Sequence, residues 1–193
     1  MEMTLEECRK DFEHSAKRSL SMPIAGALYW LTLAIVSTQV SERVGLLVLL
    51  FGSGTIFPIA LLISKITKEQ VFSSNNPLAK LMGLSVLMVN LLWALHIPLF
   101  LYAPEFLPLS VGIGLGLHWI VYSWIIQHPL GLIHALLRTA LVLLAWFIFP
   151  ESRLFAIGLA IVLVYSLSIW LMLTRPIAYN KLSHQDALSS ASA

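Results

Sequence analysis

The sequence predicts an all-α, polytopic membrane protein, with six transmembrane helices preceded by a short N-terminal amphipathic helix. Three observations carry that prediction. The 193 residues are 58% hydrophobic and only 11% charged, which leaves too little polar surface for a chain of this size to face water. The charges that exist are clustered, so long uncharged stretches separated by charged or proline-containing breaks fill almost everything from Leu20 to Thr174. The basic residues, finally, alternate between the two ends of those stretches in a strongly unequal way.

Residues 1–19 form a charged leader. Thr4 and Glu7 have capping-box spacing, and Leu5, Cys8, Phe12 and Ala16 recur at helical intervals, so a short amphipathic helix lying on the inner membrane surface is expected; a frayed charged leader is the plainer alternative. The mixture of acids and bases, and the lack of a small-residue cleavage site, argue against a signal peptide.

The spans follow at about 20–38, 44–64, 80–102, 108–127, 130–149 and 154–174. There are 23 uncharged residues between Arg18 and Glu42, 21 between Arg43 and Lys65, 24 between Lys80 and Glu105, and 21 from Leu154 to Thr174, each at or above the roughly 20 that a helix needs to cross about 30 Å of hydrocarbon. Phe106 to Leu137 is an uncharged run of 32, too long for one span, and Gln127-His128-Pro129 followed by Gly131 divides it into two. That division places Arg138 inside the fifth helix.

With six spans both termini share one side. That side collects Arg9, Lys10, Lys17, Arg18, Lys65, Lys68, Lys80, Arg175 and Lys181, and the other keeps Arg43 and Arg153. Nine against two is a strong positive-inside bias and makes both termini cytoplasmic. Residues 175–193 read as a cytoplasmic tail, mostly disordered because its end lacks any periodic apolar face. Cys8 is the only cysteine, so there is no intrachain disulfide and no thiolate metal cluster. A net charge of +2, with its bases on inner loops, implies contact with anionic lipid and no nucleic-acid partner.

Gly-Ala-Leu-Tyr-Trp at 26–30, Phe-Gly-Ser-Gly-Thr-Ile-Phe-Pro at 51–58 and Asn-Asn-Pro-Leu-Ala-Lys-Leu at 75–81 resemble a family of small, uncharacterised bacterial multi-pass membrane proteins of unknown function. The resemblance covers most of the chain and implies a bacterial inner-membrane protein. It carries over no catalytic residue.

Function is then sought in polar groups at membrane depth. With about 1.5 Å of rise per residue, Ser53, Asn90, His118 and Arg138 fall within about 3 Å of the midpoints of the second to fifth spans. Polar groups in hydrocarbon are costly and normally turn inward to partners. No Asp or Glu lies in any span, so Arg138 has for partners backbone carbonyls, Asn90, water or an anionic ligand. Alternatively it snorkels to inner headgroups, sharing a face with His134 four residues earlier. Gly114, His118 and Tyr122 form one stripe of the fourth span, a polar track that carries either a structural hydrogen bond or a proton or ligand contact. Gly112, Gly116, Trp119 and Ser123 form another, read as close packing within the chain or between subunits.

Pro58 and Pro98 each remove a backbone donor and free the carbonyls of Gly54 and Ala94. His96 and His118 differ in depth by about 8 Å, so no haem is expected, and no third ligand supports zinc. Gly52-Ser53-Gly54 superficially resembles the serine of a rhomboid-like protease, but here Ser53 precedes every span histidine. The functional expectation is binding or passage of a small polar or anionic solute through a central layer of Arg138, His118, Tyr122, Asn90, Ser53 and His134, without metal or cofactor and with a homo-oligomer allowed. The alternatives are a structural or regulatory membrane protein and an intramembrane enzyme.

Overall fold

Leu, Ile, Val and Ala fill the uncharged stretches, and a backbone surrounded by such residues must satisfy its own hydrogen bonds, which a helix does locally. The computed structural model of the chain describes residues 3–70 and 75–176. All regular structure among these residues is helical. The long elements are α1 (Leu5–Ala16), α2 (Ser21–Ser37), α3 (Glu42–Gly52), α4 (Ile56–Thr67), α5 (Pro77–Leu91), α6 (Trp93–Tyr102), α7 (Leu107–Gly114), α8 (His118–Ile125), α9 (Leu130–Ile148) and α10 (Arg153–Thr174).

Five continuous helical stretches among the described residues are long and apolar enough to cross a membrane: Glu42–Thr67, Pro77–Tyr102, Pro104–Ile125, Leu130–Ile148 and Pro150–Thr174. A sixth arises when α1 and α2, bent by 54° at the turn between them, are taken together. The 17 residues of α2 reach about 25 Å without α1. Leu62, Ile66, Leu91, Leu136, Phe147 and Leu163 are among many large apolar side chains exposed on the outer surface, an arrangement suited to hydrocarbon and not to water.

Breaks divide three of these stretches. Gly52 leads into a 3₁₀ turn, Ser53–Thr55, just before Pro58, and α5 gives way to α6 at Leu92 ahead of Pro98. Between α7 and α8 the backbone tightens through Leu115, Gly116 and Leu117.

Small residues set the closest packing. A β-carbon on Gly158 of α10 would lie 2.9 Å from the Ala34 β-carbon and 3.1 Å from the Trp30 carbonyl of α2. One on Gly131 of α9 would lie 2.1 Å from the Trp119 carbonyl of α8, so the backbones of α8 and α9 approach where only glycine fits. α9 packs on α10 and α8, α4 packs on α2, and α5 packs on α8. The Gly112/Gly116 stripe faces α9 of the same chain.

α1 is the expected N-terminal helix. It has the capping box, with the Glu7 N–H donating to Thr4 Oγ1 at 3.3 Å and the Thr4 N–H donating to Glu7 Oε2 at 2.7 Å. Those bonds from Thr4, backbone first, hold the Glu7 carboxyl below its usual range. The helix packs on the bundle, burying Cys8, Phe12 and Glu13. Asn76 Nδ2 donates to the Cys8 carbonyl and to Asp11 Oδ2, both at 2.7 Å. Arg175 Nη1 pairs with Glu13 Oε1, and Arg18 Nη1 donates to the Met172 and Leu173 carbonyls at 2.6 and 2.5 Å. Orphan carbonyls at the end of α10 thereby gain a cation. The polar face of α1 is thus matched to groups of the protein, and the helix roofs the basic end of the bundle. The turns at this end use left-handed residues, Lys17, Ser19, Lys68 and Gln127, with φ of 50°, 53°, 56° and 49°. The tail expected at 177–193 lies outside the described residues.

Candidate functional site

Arg138 sits near the middle of α9 and is 0% exposed, so it is enclosed by the bundle and does not snorkel. Its environment starts with the break between α7 and α8. In an uninterrupted helix the Gly116 N–H would bond the Gly112 carbonyl, but here it bonds the Ile113 carbonyl at 2.9 Å. The released Gly112 carbonyl accepts from Arg138 Nε at 2.6 Å. Gly116 also makes the room, since a β-carbon there would lie 2.7 Å from Arg138 Cδ. Arg138 Nη1 donates to the Tyr165 hydroxyl at 3.3 Å, and the guanidinium carbon lies 5.3 and 5.5 Å from the ring centres of Trp30 and Tyr165. No carboxylate pairs with Arg138 among the described residues; a carbonyl dipole, a hydroxyl and two π faces disperse its charge.

His134, one turn earlier, is buried beside it. The Ser168 hydroxyl gives its single proton to the Val164 carbonyl at 2.8 Å. His134 Nδ1 must therefore be the donor in its 2.8 Å contact with Ser168 Oγ, which leaves Nε2 an acceptor without a partner. The imidazole stacks on the Trp119 indole, centres 3.9 Å apart and planes 8° from parallel. Arg138 Nη2 and Trp30 Nε1 likewise have no partner.

On the other side of Trp119 lies a cavity of about 550 Å³, bounded by α2 and α4 on one side and by α5 and α8 on the other, with Phe12, Ser15 and Ala16 of α1 above it. His118, Trp119 and Tyr122 form its wall on α8. His118 Nδ1 and the Tyr122 hydroxyl make no close hydrogen bond, although the Leu115 backbone interacts with His118 and the Ser19 and Arg175 side chains interact with Tyr122. At the α1 end the wall includes Glu69 and Lys80. The Glu69 carboxylate accepts from the Leu20 N–H at 2.8 Å and the Ser21 N–H at 2.9 Å, so it caps the start of α2 across 48 residues of sequence. Lys80 is exposed and forms no ion pair among the described residues.

Of the six residues expected to share a central layer, the structure gathers Arg138 and His134 into one enclosed centre, and His118 and Tyr122 onto the cavity wall. Arg138 does not line the cavity. Asn90 and Ser53 belong to neither place. Asn90 is exposed and donates to the Val86 carbonyl of its own helix at 2.9 Å, and Ser53 Oγ donates to the Leu50 carbonyl at 2.8 Å. Both use the local back-bonding open to a short polar side chain in a helix, which satisfies them without a partner helix. Ser53 thus has no histidine as base. His96 contacts Ser110 Oγ at 3.2 Å, well accounted for by neighbouring α6 and α7. Among the described residues no three His, Cys, Asp or Glu side chains converge on a metal position.

Trp119, part of the packing stripe in the sequence, stacks on His134 and forms the wall between the two regions. Lys80 enters the sequence reading only as one of the inner-side bases, and nothing in the sequence singles out Glu69. The glycines at 112, 114 and 116 carried the one legible signal, a run incompatible with a uniform helix.

A model of a family described as a family of unknown function (DUF7010) matches residues 5–175. No curated protein and no solved structure matches the chain.

Proposed function

For a chain that belongs to this family, we propose a protein that crosses a bacterial inner membrane six times, with both termini in the cytoplasm, and binds a small molecule in the cavity beneath α1. The topology is supported by the nine-to-two distribution of bases and by five to six helices of sufficient length and apolarity. Binding is supported by one observation above the others: two neutral residues whose polar atoms make no close hydrogen bond, His118 and Tyr122, line a cavity whose volume is that of a small-molecule site. Apolar walls with a few convergent polar groups are the usual composition of such a site.

Arg138 serves this function indirectly. By taking the carbonyl that the α7–α8 break releases, it holds the break open, and the break is what starts α8 at His118. A ligand meets the neutral groups, and the charge stays behind Trp119. The expectation of an anionic solute at Arg138 is therefore replaced by binding at His118 and Tyr122.

The test is thermal unfolding of purified protein in phosphatidylcholine nanodiscs against a panel of neutral, cationic and anionic amphiphiles. A binder at a hundred times its Kd stabilises by about 2.7 kcal/mol, and the shift is expected to shrink in His118→Ala and Tyr122→Phe. A panel in which nothing stabilises the protein, or equal shifts in the wild type and both variants, would overturn the reading.

A further inference from the structure

The cavity used by the proposed binding function has one side that no helix closes among the described residues. α4 packs on α2, and α5 packs on α8 and α1, whereas α4 and α5 do not pack along each other although only residues 68–76 join them. Phe57 of α4 and Gly83 and Val86 of α5 line the cavity from the two sides of that gap. A β-carbon built on Gly83 would meet nothing within 4 Å. Leu62 and Ile66 on α4, and Leu84, Leu87 and Met88 on α5, are exposed. The cavity therefore communicates sideways with the surroundings of an apolar surface.

Polarity along the cavity is graded with depth. Lys80 lies three residues into α5 and Tyr122 three residues before the end of α8, so both are about 5 Å below the basic end of the bundle. His118, seven residues from the end of α8, is about 10 Å down. Val86 and Phe57, nine and ten residues from the ends of α5 and α4, are about 14 to 15 Å down. A cation comes first, then a hydroxyl and an imidazole, then apolar groups at the lateral gap. Lys80 is the charged group whose donors are uncommitted: it has no ion pair among the described residues, while both oxygens of the neighbouring Glu69 are engaged by backbone N–H groups.

We propose that the ligand is a single-chain anionic amphiphile, admitted sideways from the inner leaflet between α4 and α5. Its carboxylate or phosphate head sits at Lys80 and Tyr122, with His118 available to the polar group below the head. Its chain runs past Val86 and Phe57 into the gap. This orientation matches that of the surrounding inner-leaflet lipids, so the molecule need not turn over to bind. A volume of about 550 Å³ holds one chain and not the pair of a phospholipid.

The assignment rests on the binding function proposed above, and the test separates the two. Wild-type protein, Lys80→Gln and Gly83→Leu are placed in phosphatidylcholine nanodiscs and titrated with palmitate, with hexadecanol of the same length and with water-soluble octanoate. Bound molecules are counted by native mass spectrometry and the thermal midpoint is followed. The expected result is one palmitate per chain, with affinity about fivefold weaker in Lys80→Gln, the upper end for one exposed ion pair. Gly83→Leu should lose palmitate while the empty protein keeps its midpoint, because the new side chain fills open space. Hexadecanol binding as tightly as palmitate, with Lys80→Gln unchanged, would overturn the anionic head and leave the binding function standing. Octanoate binding without palmitate would overturn admission from the leaflet. Unchanged palmitate binding in Gly83→Leu would overturn the location. Failure of all three probes together with the whole amphiphile panel would end both proposals.

Discussion

The Arg138 centre and the cavity beneath α1 stand back to back, divided by the thickness of one indole, and they differ in access: both hold polar atoms without a close hydrogen bond, but only the second adjoins open space. Around Arg138 the bundle supplies the Gly112 carbonyl, the Tyr165 hydroxyl and two aromatic faces, and the side chain is wholly enclosed. His118 and Tyr122 line space that the protein leaves unfilled, and neither His118 Nδ1 nor the Tyr122 hydroxyl makes a close hydrogen bond. The difference teaches that the most expensive group in the bundle fixes geometry, whereas the cheaper neutral groups are left for a ligand. A buried charge is held in place by every bond it makes, so freeing it for exchange with a solute would cost those bonds.

Removing the shared wall is the severest way to break the comparison. Trp119→Ala is expected to lower stability by about 3 to 5 kcal/mol, the usual cost of truncating a buried tryptophan. It would also join the cavity to the space around His134, so a ligand would meet both centres. Thermal unfolding and ligand affinity measured together check this.

Arg138→Gln comes next. It orphans the Gly112 carbonyl and should cost about 1.5 to 3 kcal/mol, the worth of a hydrogen bond to a charged donor. Ligand affinity is expected to fall as well, since the start of α8 is no longer pinned. A variant with full stability and no affinity would instead return Arg138 to the binding site.

A smaller effect is expected from pH, at the basic end shared by the cavity and its roof. His128 lies in the turn between α8 and α9, and its Nδ1 accepts from the Leu130 N–H at 3.2 Å. Desolvation, followed by the nearby Arg175, lowers its pKa below the ordinary imidazole value. A folded pKa below the unfolded one means that the contribution is complete above about pH 6.5 and is lost as pH falls below it. The thermal midpoint should therefore drop between pH 7.5 and 5.5, and drop less in His128→Gln.

Tyr122→Phe should move stability least. Its hydroxyl makes no close hydrogen bond, so the change is expected within about 0.5 kcal/mol, while ligand affinity falls. This contrast with Arg138→Gln sharpens the division of labour between the two regions.

Much of the fold was legible in the chain. The uncharged runs marked the apolar helices, Thr4 and Glu7 marked the start of α1, and Gln127 to Gly131 marked the turn that puts Arg138 within α9. Half of the candidate site was legible too, because a His or an Arg in an apolar run must find some accommodation. The facing of each side chain was not. Asn90 and Ser53 had the same depth as His118 and Arg138, but depth along a helix says nothing about rotation around it when lipid and bundle interior are equally apolar and the amphipathic signal is faint. Glu69 as the cap of α2 was illegible for another reason, since 48 residues separate donor and acceptor.

What the sequence determined by itself is the solvent, the helices and their ends, because hydropathy, capping and glycine or proline breaks act within a few residues of the chain. The tertiary structure alone decided that α1 is a roof, that Arg138 answers the carbonyl freed at Gly112, that Trp119 separates two polar regions, and that α4 and α5 leave a gap. Each of these depends on which faces meet across the bundle, and that is fixed by close packing at Gly116, Gly131 and Gly158, where a fit of a few tenths of an ångström between distant segments selects one arrangement.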